Sequence, residues 1–135
     1  MSPLFIDAGY LIALEASDDQ SHEAASGHWR ELLKALPPLV TTSYVFDETV
    51  TFFNSRKRHA KAAEVGNRLL QSSAVELIQV DETLFHEGWE FFQQHGDKTY
   101  SLTDCISFVV MRRRGIGTAL TFDKHFVQAG FSKLP

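Results

Sequence analysis

Four acidic side chains stand out because of where they lie relative to apolar segments. Asp7 and Asp123 each end a short apolar run, in LFID and TALTFD, and Asp104 begins a helix-like segment that reads CISFVVM. The carboxyl ends of neighbouring strands in an open α/β sheet border the crevice where ligands bind. Acids gathered there would repel one another unless a cation held them, so the pattern predicts a metal site.

Glu48 is the fourth candidate, and it lies beside a second acid, Asp47, in the segment TSYVFDETVTFF. Helical spacing makes Val45 and Phe52 neighbours of Glu48, which favours Glu48 as the inward-facing acid. A solvated pair of surface acids fits this segment about equally well, so the residues alone leave both interpretations open.

Asp7 and Asp123 also have an ordinary structural explanation. Asp is a preferred N-cap, because its carboxylate accepts hydrogen bonds from the N–H groups of the first helical turn. For either residue taken alone, capping is the favoured interpretation. Asp104 is harder to explain in this way, because its helix is apolar on nearly every side and an unpaired acid there is costly to desolvate.

Other kinds of catalytic or metal site match the sequence less well. A structural zinc site needs Cys and His at close spacings, and the chain has one cysteine, Cys105, with His22 and His28 six residues apart. The nucleophile turn Gly-x-Ser-x-Gly and the glycine-rich phosphate loops are absent. A cluster of carboxylates suits the hard cations Mg²⁺ or Mn²⁺.

Length and composition predict one globular domain spanning residues 1–135, with 44% hydrophobic residues available for a core. No segment approaches the roughly 18 apolar residues typical of a membrane span. The N-terminus has no basic leader, so we expect no signal peptide, no membrane partner and a cytoplasmic location. The net charge of −4 argues against a general nucleic-acid coat but not against a nuclease. Two basic clusters, 56–59 and 112–114, are most simply explained as solvated helix ends.

Apolar runs and helical patterns alternate along the chain. Strands are predicted at 3–7, 39–42, 75–80 and 118–122. The first helix is predicted at 8–16, and the second follows the polar stretch 17–21 and ends near 36. Further helices are predicted at 44–57, 59–72, 81–96, 103–114 and 124–128. Strands separated by helices indicate an α/β fold with a parallel sheet and helices on both faces.

Together these segments resemble the PIN-domain family of metal-dependent ribonucleases, and in particular the VapC-like toxins of toxin–antitoxin pairs. FIDAGYLIAL, LVTTSYVFDETVTFF, YSLTDCISFVVMRRRG and ALTFDKHFVQAGF are similar to the four family motifs, in order and with ordinary spacings. The second motif selects Glu48 rather than Asp47. One departure is Gly9, where many relatives carry Ser, Thr or Asn, so a polar side-chain contact is lost.

The resemblance implies a three-layer α/β/α sandwich around a parallel sheet of four or five strands. It also implies that Asp7, Glu48, Asp104 and Asp123 converge to hold one or two Mg²⁺ or Mn²⁺ ions. Asp7 and Asp104 are then the principal metal ligands, and the other two acids complete a second site or orient the attacking water. Thr121 could bond a carboxylate or phosphate, although an ordinary strand residue is the favoured interpretation.

The implied activity is cleavage of single-stranded or looped RNA by a toxin that forms a homodimer and is blocked by a cognate antitoxin. Two alternatives belong to other classes of protein. A PIN-fold module without catalytic activity would use the same acids only as caps. A phosphoacceptor receiver domain would need adjacent acids after the first strand, which the segment around Asp7 does not supply.

Overall fold

The computed structural model describes all residues from 1 to 135. Five strands and seven α-helices follow one another along the chain. The strands are β1 (Leu4–Ile6), β2 (Leu39–Thr42), β3 (Val75–Ile78), β4 (Thr118–Leu120) and β5 (Ser132–Leu134). The helices are α1 (Ala8–Glu15), α2 (His22–Leu32), α3 (Ser43–Ser55), α4 (His59–Gln71), α5 (Glu82–Gln94), α6 (Leu102–Arg114) and α7 (His125–Gln128).

All five strands are parallel and form one sheet in the order β3-β2-β1-β4-β5. The chain extends the sheet from β1 through β2 to β3, and then returns to the other side of β1 with β4 and β5. This reversal creates a topological switch between β1 and β4, and ligands bind outside the carboxyl ends of strands at such a point. Helices α1 to α4 pack in one group and α5 to α7 in another. The predicted α/β sandwich with a central parallel sheet is confirmed.

Two of the three inner strands, β1 and β2, start with short apolar runs because helices cover both faces of the sheet. Phe5, Ile6, Leu39 and Val40 are all buried, as expected for a parallel sheet without a solvent-exposed face. One cluster of 27 buried hydrophobic residues fills the interior. The cluster includes residues of β1, β2 and β4, so the loops that follow these strands leave from a packed part of the sheet.

Local signals explain where the helices that serve this edge begin. The Thr42 side chain accepts a hydrogen bond from the Val45 backbone N–H at the start of α3.

Gly88 lies where α5 crosses α6, and an added Cβ there would overlap the side chain of Ile106. Glycine therefore allows the two helices to approach closely, which fixes the position of α6 over the sheet.

Several predicted element boundaries were wrong. Strand β5 was not predicted from its residues, because Ser132–Leu134 is a short edge strand with mostly exposed side chains. Helix α2 ends at Leu32 and continues as one 3₁₀ turn, Leu33–Ala35, before the two prolines. Strands β1, β3 and β4 are shorter than predicted, because the residues after Ile6, Ile78 and Leu120 belong to the loops that leave the sheet.

The structure also bears on membrane association and on the cysteine. None of its helices combines the length and apolar character that crossing a membrane requires. Cys105 is buried and free, as expected for a single cysteine.

Candidate active site

The four predicted acids lie in one cavity at the carboxyl edge of the sheet. Asp7, Glu48, Asp104 and Asp123 all line a cavity of about 460 Å³. Asp7 follows β1 and Asp123 follows β4, so the cavity opens at the topological switch. Residues separated by more than a hundred positions in the chain are thus brought together by the order of the strands.

Asp7 is buried at the end of β1 and does not act as a helix cap. It occupies the position before α1, but its carboxylate makes no capping hydrogen bond. Instead the Thr121 hydroxyl donates a 2.7 Å hydrogen bond to Asp7 Oδ2. The favoured interpretations of Asp7 as a cap and of Thr121 as an ordinary strand residue were therefore wrong, because neighbouring strands bring the two side chains together.

Asp104 is presented to the cavity by the first turn of α6. The Ser101 side chain accepts a hydrogen bond from the Asp104 backbone N–H, and Asp104 Oδ2 accepts one from the Ser101 N–H at 3.2 Å. This reciprocal capping box fixes the start of the helix. Only 8% of Asp104 is exposed, so its carboxylate is held in place with one edge turned towards the cavity.

Asp123 accepts a hydrogen bond from the first residue of α7 and faces the cavity as well, but the N-cap position predicted for it belongs to Lys124. Its Oδ1 atom accepts a 2.9 Å hydrogen bond from the His125 backbone N–H, and its own N–H donates to the Thr121 hydroxyl at 3.0 Å. Thr121 therefore connects Asp123 to Asp7, donating to one acid and accepting from the backbone of the other.

Sequence reasoning missed His125 as a member of this site. Its Nδ1 atom lies 3.3 Å from both Asp104 Oδ2 and Asp123 Oδ1. Its ring packs edge-on against Tyr100, with the ring centroids 5.3 Å apart. The signal available in the sequence was the spacing Asp-x-His in FDKHF, because a residue two positions after a turn-forming Asp lies next to that carboxylate.

Glu48 reaches the cavity from α3, and the neighbouring Asp47 does not. Asp47 lines an adjacent groove instead, where its Oδ1 atom accepts a hydrogen bond from Thr51 at 3.3 Å. Thr49, the residue after Glu48, is fully buried and donates to the Val45 carbonyl oxygen. The orientation of α3 therefore distinguishes the two acids that helical spacing alone left unresolved.

The clustered carboxylates perturb one another. Burial, followed by the charges of Asp104 and Glu48, raises the pKa of Asp7 to about 7 from 3.8, although the Thr121 hydrogen bond opposes the shift. Desolvation, with a contribution from Asp123, also raises the pKa of Asp104. The pKa of Glu48 rises for the same two reasons, although much of its side chain is exposed. Both causes disfavour the ionised form of each acid.

The residues present fit a divalent cation. No Lys or Arg lines the cavity, so the protein supplies no permanent positive charge to offset the acids. Asp104, Asp123 and His125 each place a potential ligand atom within 4.8 Å of the others. This group includes only one of the two predicted principal ligands, Asp104, while one oxygen of Asp7 is engaged by Thr121. Carboxylate oxygens dominate the donor set, which suits a hard cation.

Gly9 lines the same cavity and leaves part of it open. An added Cβ at this position would meet only Asp7 Oδ2, at 4.0 Å, which is ordinary van der Waals contact. The backbone therefore does not require glycine here. The consequence of Gly9 is the missing polar side chain beside Asp7.

Comparison with known proteins identifies relatives along nearly the whole chain. The chain is 36% identical over 129 residues to the 23S rRNA-specific endonuclease VapC20 of Mycobacterium tuberculosis, found in two strains, and the match covers 95% of each protein. The crystal structure of that VapC20, described as a sarcin–ricin loop cleaving toxin, matches with a TM-score of 0.86 at 32% identity and 95% coverage of both chains.

Two further solved structures share the fold at lower identity. VapBC2 from Rickettsia felis, bound to a DNA fragment from its promoter, matches with a TM-score of 0.70 at 12% identity and covers 97% of this chain and 96% of its own. FitAcB from Neisseria gonorrhoeae matches with a TM-score of 0.64 at 16% identity, over 98% and 96%. The model of the PIN domain matches residues 4–132. The chain therefore belongs to the PIN-domain family.

Proposed function

We propose that this protein is a metal-dependent endoribonuclease and the toxin of a toxin–antitoxin pair. The observation that carries this proposal is the cavity with four convergent carboxylates, which contains no Lys or Arg. The 36% identity to VapC20 over 95% of both chains supports the same reaction class. Because that relative is named for 23S rRNA and its sarcin–ricin loop, we propose this loop as the substrate.

Asp7 and Asp104 are proposed as principal ligands for Mg²⁺ or Mn²⁺. A divalent ion bound there would lower the pKa of a bound water and polarise the scissile phosphate. Glu48 and Asp123 would complete a second site or orient the attacking water. His125 packs between Tyr100 and the two acids Asp104 and Asp123, so its ring limits how far these carboxylates can turn.

The residues around the acids hold their geometry before substrate arrives. Thr121 fixes one oxygen of Asp7, and the capping box with Ser101 fixes Asp104. Side chains that are already oriented lose little entropy when the reactive complex forms, which is a main source of rate acceleration. This arrangement supports catalysis rather than simple capping, because Asp7 makes no capping hydrogen bond.

An antitoxin partner is part of the proposal. The acidic cavity would attract a basic side chain, so a partner that inserts one would block the metal site. We also propose a homodimer, as the family resemblance implies. Co-expression with the product of an adjacent small reading frame should yield a complex without ribonuclease activity.

The direct test is cleavage of a synthetic sarcin–ricin stem-loop RNA by the purified protein. Cleavage should require Mg²⁺ or Mn²⁺ and should stop when a chelator is added. Asp104→Asn should lower the rate by about 10²- to 10³-fold, the usual effect of removing one electrostatic group from an active site. Asp18→Asn is the matched control, because this exposed acid makes only a 3.9 Å contact with Arg58. Activity that survives Asp104→Asn would count against this site, and a wild type inactive on the stem-loop and on whole ribosomal RNA would favour a non-catalytic PIN module.

A further inference from the structure

We propose that the groove along α3 binds the RNA strand next to the scissile phosphate, with Arg56 as a phosphate-binding residue at its far end. The inference rests on the proposed ribonuclease function and assigns a path for the substrate beyond the acidic cavity. Glu48 and Ser101 line both the groove and the cavity, so the two are continuous.

The groove follows one line of side chains on α3. Tyr44, Glu48 and Phe52 are spaced four residues apart, and Arg56 is the next residue in this series, directly after the helix ends. Residues at this spacing lie on one face of a helix. The eight residues from Glu48 to Arg56 span about 12 Å at 1.5 Å per residue. A strand leaving the metal site along this line would therefore reach Arg56.

The lining of the groove combines hydroxyl groups with apolar surface, and a strand of unpaired nucleotides can contact both. The groove has a volume of about 750 Å³, and only three of its ten lining residues are hydrophobic. Its hydroxyl-bearing residues supply neutral hydrogen-bond partners for ribose and phosphate; they are Ser43, Tyr44, Thr51, Ser55, Ser101 and Thr103. Tyr44 also offers aromatic surface, on which unpaired bases stack.

Arg56 is fixed in place without being neutralised. Its guanidinium lies 3.7 Å from the centroid of the Phe52 ring, and Nη1 donates to the Phe52 carbonyl oxygen at 3.1 Å and to Ser55 Oγ at 3.3 Å. No carboxylate lies within 4.0 Å of it, and the residue is exposed. Its remaining N–H donors are therefore free for an anion, while the stack on Phe52 limits the entropy lost on binding.

The second basic cluster shows the opposite arrangement. Arg113 forms an ion pair with Glu87, and Arg114 forms a bidentate pair with Glu76 at 3.0 and 2.6 Å. Arg112 lies over Phe91, at 5.0 Å from the ring centroid. The interpretation of this cluster as a helix end is thus supported for 112–114, whereas Arg56 remains available to a ligand.

Asp47 is the feature of the groove that disfavours a phosphate. Its carboxylate lines the groove, so a phosphate close to it would be repelled. Carboxylates accept hydrogen bonds from base amino and imino groups instead. The charges therefore favour phosphates at the metal site and at Arg56, and a base edge rather than a phosphate beside Asp47.

The test measures RNA binding separately from cleavage. In a protein that carries Asp104→Asn, so that RNA remains intact, binding of a fluorescent sarcin–ricin stem-loop is followed by anisotropy over a range of salt concentrations. Adding Arg56→Ala should weaken binding about tenfold, as expected for one lost hydrogen bond to a charged group. The slope of log K against log salt should fall by about 0.7, the value for one single-stranded phosphate contact. Arg56→Lys should retain part of the affinity, because it keeps the charge but loses the planar stack.

Arg30→Ala is the matched control, because Arg30 is an exposed arginine of α2 without a carboxylate partner, and it should change neither affinity nor slope. In the otherwise wild-type enzyme, Arg56→Ala should raise KM and leave kcat nearly unchanged. The RNA can also be trimmed on the side of the cleavage site that would lie in the groove. The proteins with and without Arg56→Ala should bind this trimmed RNA with the same affinity.

Three results would overturn the inference while leaving the proposed function intact. The first is a wild type that cleaves RNA although Arg56→Ala binds it with unchanged affinity and salt dependence. The second is that Arg56→Ala weakens binding of the trimmed RNA as much as binding of the full stem-loop, which would mean that Arg56 acts through the fold. The third is a change in oligomeric state on Arg56→Ala, measured by light scattering, without a change in RNA binding, which would assign the groove to a second copy of the chain. A wild type that neither binds nor cleaves the stem-loop would overturn the proposed function and this inference together.

Discussion

Helix α6 serves two regions of the molecule whose energetics differ. Its first turn carries Asp104 into the acidic cavity, and one turn later Phe108 is fully buried in the core. Phe108 packs against a group of aromatic rings at centroid distances of 5.0 to 5.9 Å; they belong to Phe91, Tyr100, Phe126 and Phe131. Asp104 faces other acids, and both desolvation and their charges raise its pKa.

The difference shows which residues stabilise the fold and which oppose it. Aromatic contacts in a packed core stabilise the folded protein without any bound ligand. Clustered acids are favourable only when something neutralises them, because burial and like charge both penalise the ionised form. Groups with perturbed pKa values in a cavity are candidates for function, and here they coincide with the topological switch of the sheet.

Phe108→Ala should break the core and therefore give the largest change in stability. We expect the free energy of unfolding to fall by about 3–5 kcal/mol, as for other buried aromatic residues. Asp104→Asn should leave the metal-free protein as stable as the wild type or more stable, because it removes a repelled charge and keeps an oxygen that accepts the Ser101 hydrogen bond. Urea unfolding without divalent ions measures both. A large destabilisation by Asp104→Asn would show that the cavity contributes to the fold in the same way as the core.

Much of the fold and of the acidic cavity could be predicted from the sequence, for physical reasons. The order of strands and helices follows from apolar runs and helical spacing, and three of the acids lie at junctions that an open sheet brings to one edge. The contacts of His125 were missed, and the bond from Thr121 to a carboxylate was considered but disfavoured, because both depend on which segments are neighbours and no local pattern contains that information. Strand β5 escaped detection since an exposed edge strand carries little apolar signal.

Glu48 and Asp47 allow a finer comparison within one helix. Glu48→Gln should lower the rate of RNA cleavage by about 10- to 100-fold, the range for groups that support a metal site. Asp47→Asn removes the same charge one residue away, in the groove and outside the cavity, and should leave kcat nearly unchanged. Single-turnover cleavage assays at saturating metal give both values. Equal losses of kcat in the two variants would mean that cleavage depends on the negative charge near the cavity and not on the position of the Glu48 carboxylate.

The pH dependence of stability tests the same difference through the protonation of the buried acids. The pKa of Asp7 is about 7 in the folded protein against an ordinary value of 3.8, so the folded state binds a proton more tightly than the unfolded chain. Its contribution to stability is fully present below pH 3.8 and is lost as the pH rises through about 7. The pKa values of Asp104 and Glu48 are shifted in the same direction.

Metal-free protein should accordingly show a falling Tm as the pH is raised from about 5 to about 8. Asp7→Asn should reduce this fall, and the exposed Asp18→Asn should not. Saturating Mg²⁺ should also reduce it, because a bound cation stabilises the ionised acids. A Tm that rises over this range would contradict the electrostatic description of the cavity.

Anomalous scattering from crystals soaked in Mn²⁺ would show whether the four carboxylates bind a divalent metal ion. We predict an anomalous difference peak in the cavity within bonding distance of Asp104 and Asp7 oxygens, and its loss in Asp104→Asn crystals soaked in the same way. An empty cavity at a Mn²⁺ concentration that fully supports RNA cleavage would show that these carboxylates do not bind the metal.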